Sequence, residues 1–459
     1  MPRTRRWRRL PEIDKLMIKR IKERVKQGEL PQRSLSDAIH SGQAMRTFLD
    51  QEDYGQYEFL TVHGLVKLTP VEQRLAATPL FNRLNYVKQL ETVSGGFYPG
   101  ATHSRLAHSL GTLHVASRIV KRLKLPPKQQ QEIRIAALLH DVGHTAFGHA
   151  LEPFVKKELG VDHEQVIDQR LRSEGVDKLI AQSGYDYDRI LAHIHGEGLG
   201  EIITDFADRI DYLQRDLHHS GAGNQKLARE MKANLNKVIS GLAVKDGQLC
   251  VREEAKEALE RYAKYRNVLS ATVYFHPASM MGRDLLRRAV EKSLKQKAIS
   301  AEDFFTEDET LLRKMEKAGI PEAHALFWHS PWLSFDPAFQ TSFTALNERG
   351  KRTVQTTAFK KLLERKLARR LPREDFIVAV TPNFEKPLKV RVLKRDGTIE
   401  PTVFAPKVGE SRKIVLVACR NPQKLEDAGQ VTHRIMQPYL KEKGAYRRPE
   451  TSKALFRLP

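Results

Sequence analysis

Residues Ile133–His149 read IRIAALLHDVGHTAFGH, and the fold turns on how that stretch is taken. Ile133, Ala136, Ala137, Leu138 and Leu139 give an apolar surface wide enough for a helix buried in a helical core. The run then delivers His140, Asp141, His144 and His149. A carboxylate beside an imidazole at the end of an apolar helix is costly to desolvate unless a metal or a proton partner compensates. Gly143 and Gly148 keep side-chain bulk away from the backbone, leaving room for an ion or a phosphate. A solvated helix end capped by histidines is the plain alternative. Clustering counts against it, because seven of the chain's 17 histidines fall between His103 and His163.

Working outward, a glycine-rich loop, SGGFYPGATHSR, leads into a helix carrying Arg105 and His108. Its apolar face is Leu106, Leu110, Leu113, Ile119, Val120 and Leu123, and Pro126-Pro127 ends it. Upstream, Thr69-Pro70 and Thr78-Pro79 each open a helix with proline at the first helical position; the second, LFNRLNYVKQL, runs to Gln89-Leu90. The alternation from Tyr57 to Leu68 predicts a hairpin turning near His63-Gly64. Residues 1–50 form a basic helical extension, with an arm of Arg3, Arg5, Arg6, Arg8 and Arg9 around Trp7 and helices over Ile13–Val25 and Leu35–Leu49.

Downstream, a helix covers Glu152–Leu159, His163-Glu164 follow a turn at Gly160, and residues 164–350 read as helix after helix. Near Phe376 the pattern changes to period two: FIVAV, PLKVRVLKRDG and KIVLVAC, then a helix at Pro422–Met436. The expected fold is mainly α: an all-helical core over 51–370 with a short N-terminal hairpin, a small α+β domain over 371–440, and a basic tail over 441–459.

With 459 residues, 40% hydrophobic content and a mean hydropathy of −0.49, the chain can bury a large core. No apolar run reaches a membrane span, and the basic start MPRTRRWRRLPEIDKL lacks a signal-peptide apolar segment. Cys250 and Cys419 are too far apart for a zinc spacing, so a reducing cytoplasm is expected and any metal must be held by histidines and carboxylates. The formal net charge of +22 favours polyanionic ligands, nucleotide triphosphates or nucleic acid, although a solvated surface accounts equally well for any single cluster.

An adjacent His-Asp pair supplies only two ligands, and a divalent ion wants about four to six. His108 on the preceding helix and Asp208 in FADRIDYLQRD offer two more from apolar helical contexts. The order His108…His140-Asp141…Asp208 resembles the signature of the HD-domain metal phosphohydrolases. HGLVKLTPVEQRL, TPLFNRLNYVKQL, YPGATHSRLAHSLG, LLHDVGHTAFGH, HEQ, DRIDYLQRD and YRNV narrow the resemblance. They are similar to the branch holding the SAM-and-HD-domain deoxynucleotide triphosphohydrolases and bacterial deoxyguanosine triphosphatases, over roughly Tyr57 to Arg287.

That resemblance implies roles residue by residue. His108, His140, Asp141 and Asp208 match ligands of a divalent metal (Mg, Mn, Fe, Zn, Co or Ni). His144 matches the histidine acting at the scissile phosphate, with Glu152 and the pair His163 and Glu164 where its supporting groups are expected. His149 matches a second histidine near the phosphates, and Arg105, Arg209 and Arg266 match basic groups on the triphosphate. Gln89, Tyr212, Asp216 and Tyr274 match residues around a deoxyribose. The spacing agrees, since Asp208, Tyr212 and Asp216 share one helical face spanning roughly 12 Å.

The implied reaction is metal-dependent cleavage of a deoxynucleoside triphosphate to deoxynucleoside and tripolyphosphate by a homo-oligomer. The alternatives are an HD phosphodiesterase or nuclease on cyclic or oligomeric nucleotides, and a nucleic-acid-binding regulator using the HD scaffold. Single-stranded nucleic acid is an expected partner of the basic arm and of Lys360–Arg370. Ala77, Asn82 and Asn85 stand where the animal enzymes place the groups that read an activating guanine nucleotide, so activation of that kind is not expected; Leu60-Thr61 and Ser270 are further departures.

Overall fold

A computed structural model describes residues 57–92, 98–161, 163–223, 225–328, 335–342, 345–380, 388–404 and 413–442. The basic arm, both helices expected before residue 50, the start of the glycine-rich loop and the basic tail after 442 lie outside the described residues.

Strands β1 (Glu58–Thr61) and β2 (Gly64–Lys67) form the expected hairpin, with Thr61 opposite Gly64. Helices α1 (Pro70–Ala76) and α2 (Pro79–Asn82) open on their prolines. The Thr78 hydroxyl accepts from the Phe81 N–H, and Glu72 accepts from the Thr69 N–H. The second helix is shorter than expected: it stops at Asn82, and a tight turn over Arg83–Tyr86 follows. Beyond it the Lys88 N–H donates to Asp308 and the Gln89 N–H to the His103 carbonyl, so neither amide is left for a helical ladder.

Pro126-Pro127 both ends α3 (Arg105–Arg122) and starts α4 (Pro127–Leu139). Ile133, Ile135, Ala136, Ala137, Leu138 and Leu139 are fully buried, as the opening stretch predicts. After α5 (Glu152–Leu159) come α6 (His163–Ser173), α7 (Val176–Gln182) and α8 (Tyr187–Ile194). A wide π turn over Ile202–Ala207 then feeds α9 (Asp208–Ser220), followed by α10 (Gln225–Gly241).

The expectation of unbroken helix to residue 350 is wrong at two places. The first is a hairpin of β3 (Leu242–Lys245) and β4 (Gln248–Arg252). Its turn, Asp246-Gly247, has φ of 52° and 73°, the left-handed pair that a tight hairpin of this twist requires. Next are α11 (Lys256–Leu269), a second π turn over Ser270–Tyr274, α12 (Pro277–Lys295), α13 (Asp308–Lys317) and α14 (Pro321–Trp328). The second exception is β5 (Asp336–Ser342), before α15 (Glu348–Thr353) and α16 (Thr357–Leu367).

The chain closes with β6 (Phe376–Val380), β7 (Leu388–Leu393), β8 (Ile399–Phe404), β9 (Lys413–Cys419) and α17 (Leu425–Met436). Strands β5, β9 and β6 make an antiparallel sheet. One face packs Val378, Val415 and Val417 on Leu363, Leu367, Leu425 and Met436, giving the small α+β unit expected there. Its other face packs Ile377 and Leu416 on Met281 and Leu285. β7 and β8 do not join it. β7 runs parallel to β4, pairing Val251 with Val392, in a second sheet ordered β3-β4-β7-β8. Alternation marks a strand without naming its partner, and β4 offered an open edge.

By packing, the described residues divide into two compact units, one drawn from the stretches up to 85, 105–144 and 161–208, the other from 86–104, 145–160 and those after 208.

Candidate metal and phosphate site

In the first unit, α3 and α4 and the start of α9 bring His108, His140 and Asp208 together, with ligand atoms all within 4.8 Å of one another. His108 Nε2 lies 3.0 Å from Asp208 Oδ1 and 3.3 Å from His140 Nε2. Asp141 adds its Oδ1 at 3.4 Å from His140 Nε2 and its Oδ2 at 3.9 Å from His108 Nε2. Metal bonds of about 2.1 Å separate neighbouring ligand atoms by roughly 3 Å, so the spacings among His108, His140 and Asp208 suit a single ion, with Asp141 beside them. The His140 Nδ1–H donates to the Ala137 carbonyl at 2.9 Å, which leaves the Nε2 lone pair for an ion. The residues present therefore fit a divalent metal, and the chemistry of two imidazoles and two carboxylates does not choose among the metals.

Asp141 is also the hub of the site's charge. Arg105, 2% exposed, donates Nη1 to its Oδ2 at 2.9 Å, and His144 Nε2 lies 3.2 Å from its Oδ1. Burial pushes the Asp141 carboxyl up, but His140, His144 and Arg105 outweigh it and hold the group well below the usual carboxylate range. Arg105, expected on the phosphates, is here bound to a metal-site carboxylate. Gly143 plays a different part from the one expected: a Cβ there would run into the Ile167 side chain and meet its backbone at 3.3 Å, so this glycine lets α6 pack closely. His163 and Glu164 begin α6, and their side chains lie outside the described residues.

In the second unit, Asp216 stands between two donors. The Tyr274 hydroxyl donates to Oδ2 at 2.6 Å and the His103 Nε2–H to Oδ1 at 2.8 Å. The Tyr212 ring meets the Tyr274 ring edge-on, centroids 6.4 Å apart. Burial, the Asp216 charge and Tyr212 hold the Tyr274 phenol well above its ordinary value, so it remains a donor at neutral pH. Gln89 Oε1 and Arg266 Nη1 are both buried with no hydrogen-bond partner among the described residues. An acceptor and a donor left bare inside a protein each cost about 1–3 kcal/mol, which is what a ligand would recover. His149 is exposed, and its Nδ1–H donates to Glu152 Oε1 at 2.6 Å; Arg209 is half-buried on α9.

His103 was not singled out from the sequence as a site residue. It reads there as one histidine among many, and the signal that could have found it is its place two residues before Arg105. The π turns were missed as well. Each adds a residue to the helical turn next to a site residue, Asp208 after one and Tyr274 at the end of the other.

Comparison with known proteins agrees with this geometry. Residues 105–240 match the HD domain, and residues 234–326 match the HD associated region. The chain thus carries an HD domain followed by the HD associated region, and the histidines and aspartate gathered there could hold a divalent metal.

Among its relatives is the human deoxynucleoside triphosphate triphosphohydrolase SAMHD1, 29% identical over 263 residues, which cover 47% of this chain and 41% of that protein. An uncharacterized protein of Methanocaldococcus jannaschii is 27% identical over 255 residues, covering 55% and 53%. The match thus spans about half the length of these curated relatives. Two solved structures share the fold. A hypothetical protein from Aquifex aeolicus has a TM-score of 0.62 at 23% identity, over 82% of this chain and 100% of that one. A phosphohydrolase from Bacteroides thetaiotaomicron has a TM-score of 0.58 at 18% identity, over 80% and 100%. No helix among the described residues is long and apolar enough to cross a membrane.

Proposed function

We propose that this chain hydrolyses deoxynucleoside triphosphates to deoxynucleoside and tripolyphosphate. The observation that carries the hydrolytic part is the convergence of His108, His140 and Asp208, with Asp141 beside His140. The nucleotide part is supported by the Tyr274–Asp216–His103 arrangement beside Tyr212, and by the bare polar atoms of Gln89 and Arg266.

A divalent metal held there would activate a water and polarise phosphate oxygens. Asp141, kept ionised by its cationic neighbours, holds Arg105 and His144 in place. His144, buried against that carboxylate, is assigned to supply the proton taken up by the leaving sugar oxygen. Arg266 and Arg209 supply charge for the released tripolyphosphate. His149, bonded through Nδ1 to Glu152, is assigned to the phosphates. Tyr274, fixed by Asp216, sets its ring for the C2′ edge of a deoxyribose, and Gln89 serves the same sugar.

The enzyme acts as a homo-oligomer in this proposal, and its two buried cysteines, which form no disulfide, are in keeping with a cytoplasmic setting. Asn82 donates Nδ2 to the Ala76 and Thr78 carbonyls at 2.7 and 3.0 Å, spending it locally rather than on a guanine edge. A second role, binding single-stranded nucleic acid, is favoured by the exposed Lys361, Arg365, Lys366, Arg369 and Arg370 on and after α16. Incubating metal-loaded protein with each deoxynucleotide, ribonucleotide and a single-stranded oligonucleotide, and identifying the products, tests the proposal. Tripolyphosphate from deoxynucleotides is expected; pyrophosphate, or equal turnover of ribonucleotides, would overturn it.

A further inference from the structure

Phe147 is a non-glycine residue with a left-handed backbone, φ 54°, immediately before Gly148-His149. Such a conformation costs on the order of 1 kcal/mol and persists only where its surroundings impose it. Here the imposing group is Asp308, the first residue of α13, buried to 5% exposure. Its Oδ1 accepts the Phe147 N–H at 2.7 Å. The neighbouring Ala146 N–H donates to the Phe304 carbonyl at 2.8 Å, and the Thr145 hydroxyl to the Gly148 carbonyl at 2.8 Å. The loop that carries His149 is therefore pinned at its tightest point by one carboxylate oxygen.

The other oxygen of that carboxylate serves a different loop. Asp308 Oδ2 accepts the Lys88 N–H at 2.9 Å, and Lys88 is followed by Gln89, whose own N–H donates to the His103 carbonyl. His103 in turn holds Asp216. Charge-assisted bonds to backbone amides are roughly twice as strong as neutral ones, and the start of a helix is a favourable place for the negative charge.

We propose that Asp308 is a positioning residue for the hydrolytic reaction, its two oxygens fixing the His149 loop and the Gln89 loop relative to one another. It touches neither phosphate nor sugar in this role. It sets the spacing between the group assigned to the phosphates and the group assigned to the deoxyribose, so the inference rests on the nucleotide reading above. Misplacement by about 1 Å can cost on the order of a hundredfold in rate.

The test is Asp308→Asn, which keeps one acceptor and turns an amide toward the second N–H, with Asp308→Ser as a further variant should the first fail to fold. Hydrogen exchange on the intact metal-loaded protein should speed at least tenfold in peptides covering 87–90 and 145–149 together, while peptides from α3 and α4 stay as in wild type and bound metal is unchanged. Deoxynucleotide turnover should fall at least tenfold in kcat with a smaller change in KM. Unchanged exchange in either loop, exchange accelerated along the whole chain, or loosened loops with full kcat would each overturn the proposal. Wild-type protein without deoxynucleotide hydrolysis would sink the nucleotide reading instead, and the exchange result alone would then decide whether Asp308 couples the loops.

Discussion

The hydroxyl of Tyr274 donates to Asp216 Oδ2 at 2.6 Å, which fixes the tyrosine ring by its far end. Ring and hydroxyl can be tested apart. Tyr274→Phe keeps the ring and leaves Asp216 one donor short, so stability should fall by about 1–3 kcal/mol while preference for deoxy- over ribonucleotides survives within a fewfold. Tyr274→Ala should lose that preference. Denaturant midpoints and the ratio of kcat/KM for paired deoxy- and ribonucleotides read both effects; if Phe abolishes the preference as fully as Ala, the hydroxyl and Asp216 are the selector and the ring is not.

Removing a ligand tests the metal sphere. Asp208→Ala or His108→Ala should lose bound divalent metal and cut hydrolysis by at least about a hundredfold while the fold persists, because these ligands would share a single ion. Metal analysis after dialysis against a chelator, with circular dichroism alongside, measures this. Full turnover in a chelated Asp208→Ala protein would remove these residues from the metal site.

His219 supplies a pH signature in stability. Burial, together with the charges of His103, His218 and Arg215, depresses its pKa to about 4, against the opposing pull of Asp216, while its ring stacks on His103 at 4.5 Å. The ordinary value is 6.5, so between about 4 and 6.5 the unfolded chain binds a proton at this position and the folded chain does not. Stability should therefore rise with pH across that window. Urea midpoints at pH 4.5 and pH 7 for wild type and His219→Gln check it, the variant showing the smaller difference; equal slopes would mean that other groups set the trend.

Gly143 and Ile167 should behave as a coupled pair. Gly143→Ala puts a methyl group into the Ile167 side chain and should cost about 1–3 kcal/mol. Ile167→Ala makes room for it, so the double variant should be more stable than the sum of the single losses by at least about 0.5 kcal/mol. Additive losses would show that the backbone contact at 3.3 Å is the real obstacle.

Much of this was readable from the chain because the site is local in sequence. His140, Asp141 and His144 fall within a turn and a half after an apolar helix, and α9 carries Asp208, Tyr212 and Asp216 at intervals of four. What was not readable depends on long-range partners. Nothing local says that the Asp308 carboxylate lies under Phe147 and Lys88, or that His103 faces Asp216. Gly143 was legible as a close approach but not as an approach to Ile167. The Asp246-Gly247 turn was a true hairpin signal that the surrounding helical pattern overshadowed.

The parallel pairing of Val251 with Val392 also bears on how the polypeptide is made. A ribosome delivers β4 long before β7, and at 5–20 residues per second the delay is roughly 7 to 27 seconds. Throughout that interval β4, paired with β3 on one side, displays an open edge on the other, whose backbone groups can recruit any passing β-segment. Production of this protein in cells should therefore depend on how well its synthesis is shielded over that stretch, and chains released before residue 393 should go to chaperones or inclusion bodies rather than to solution.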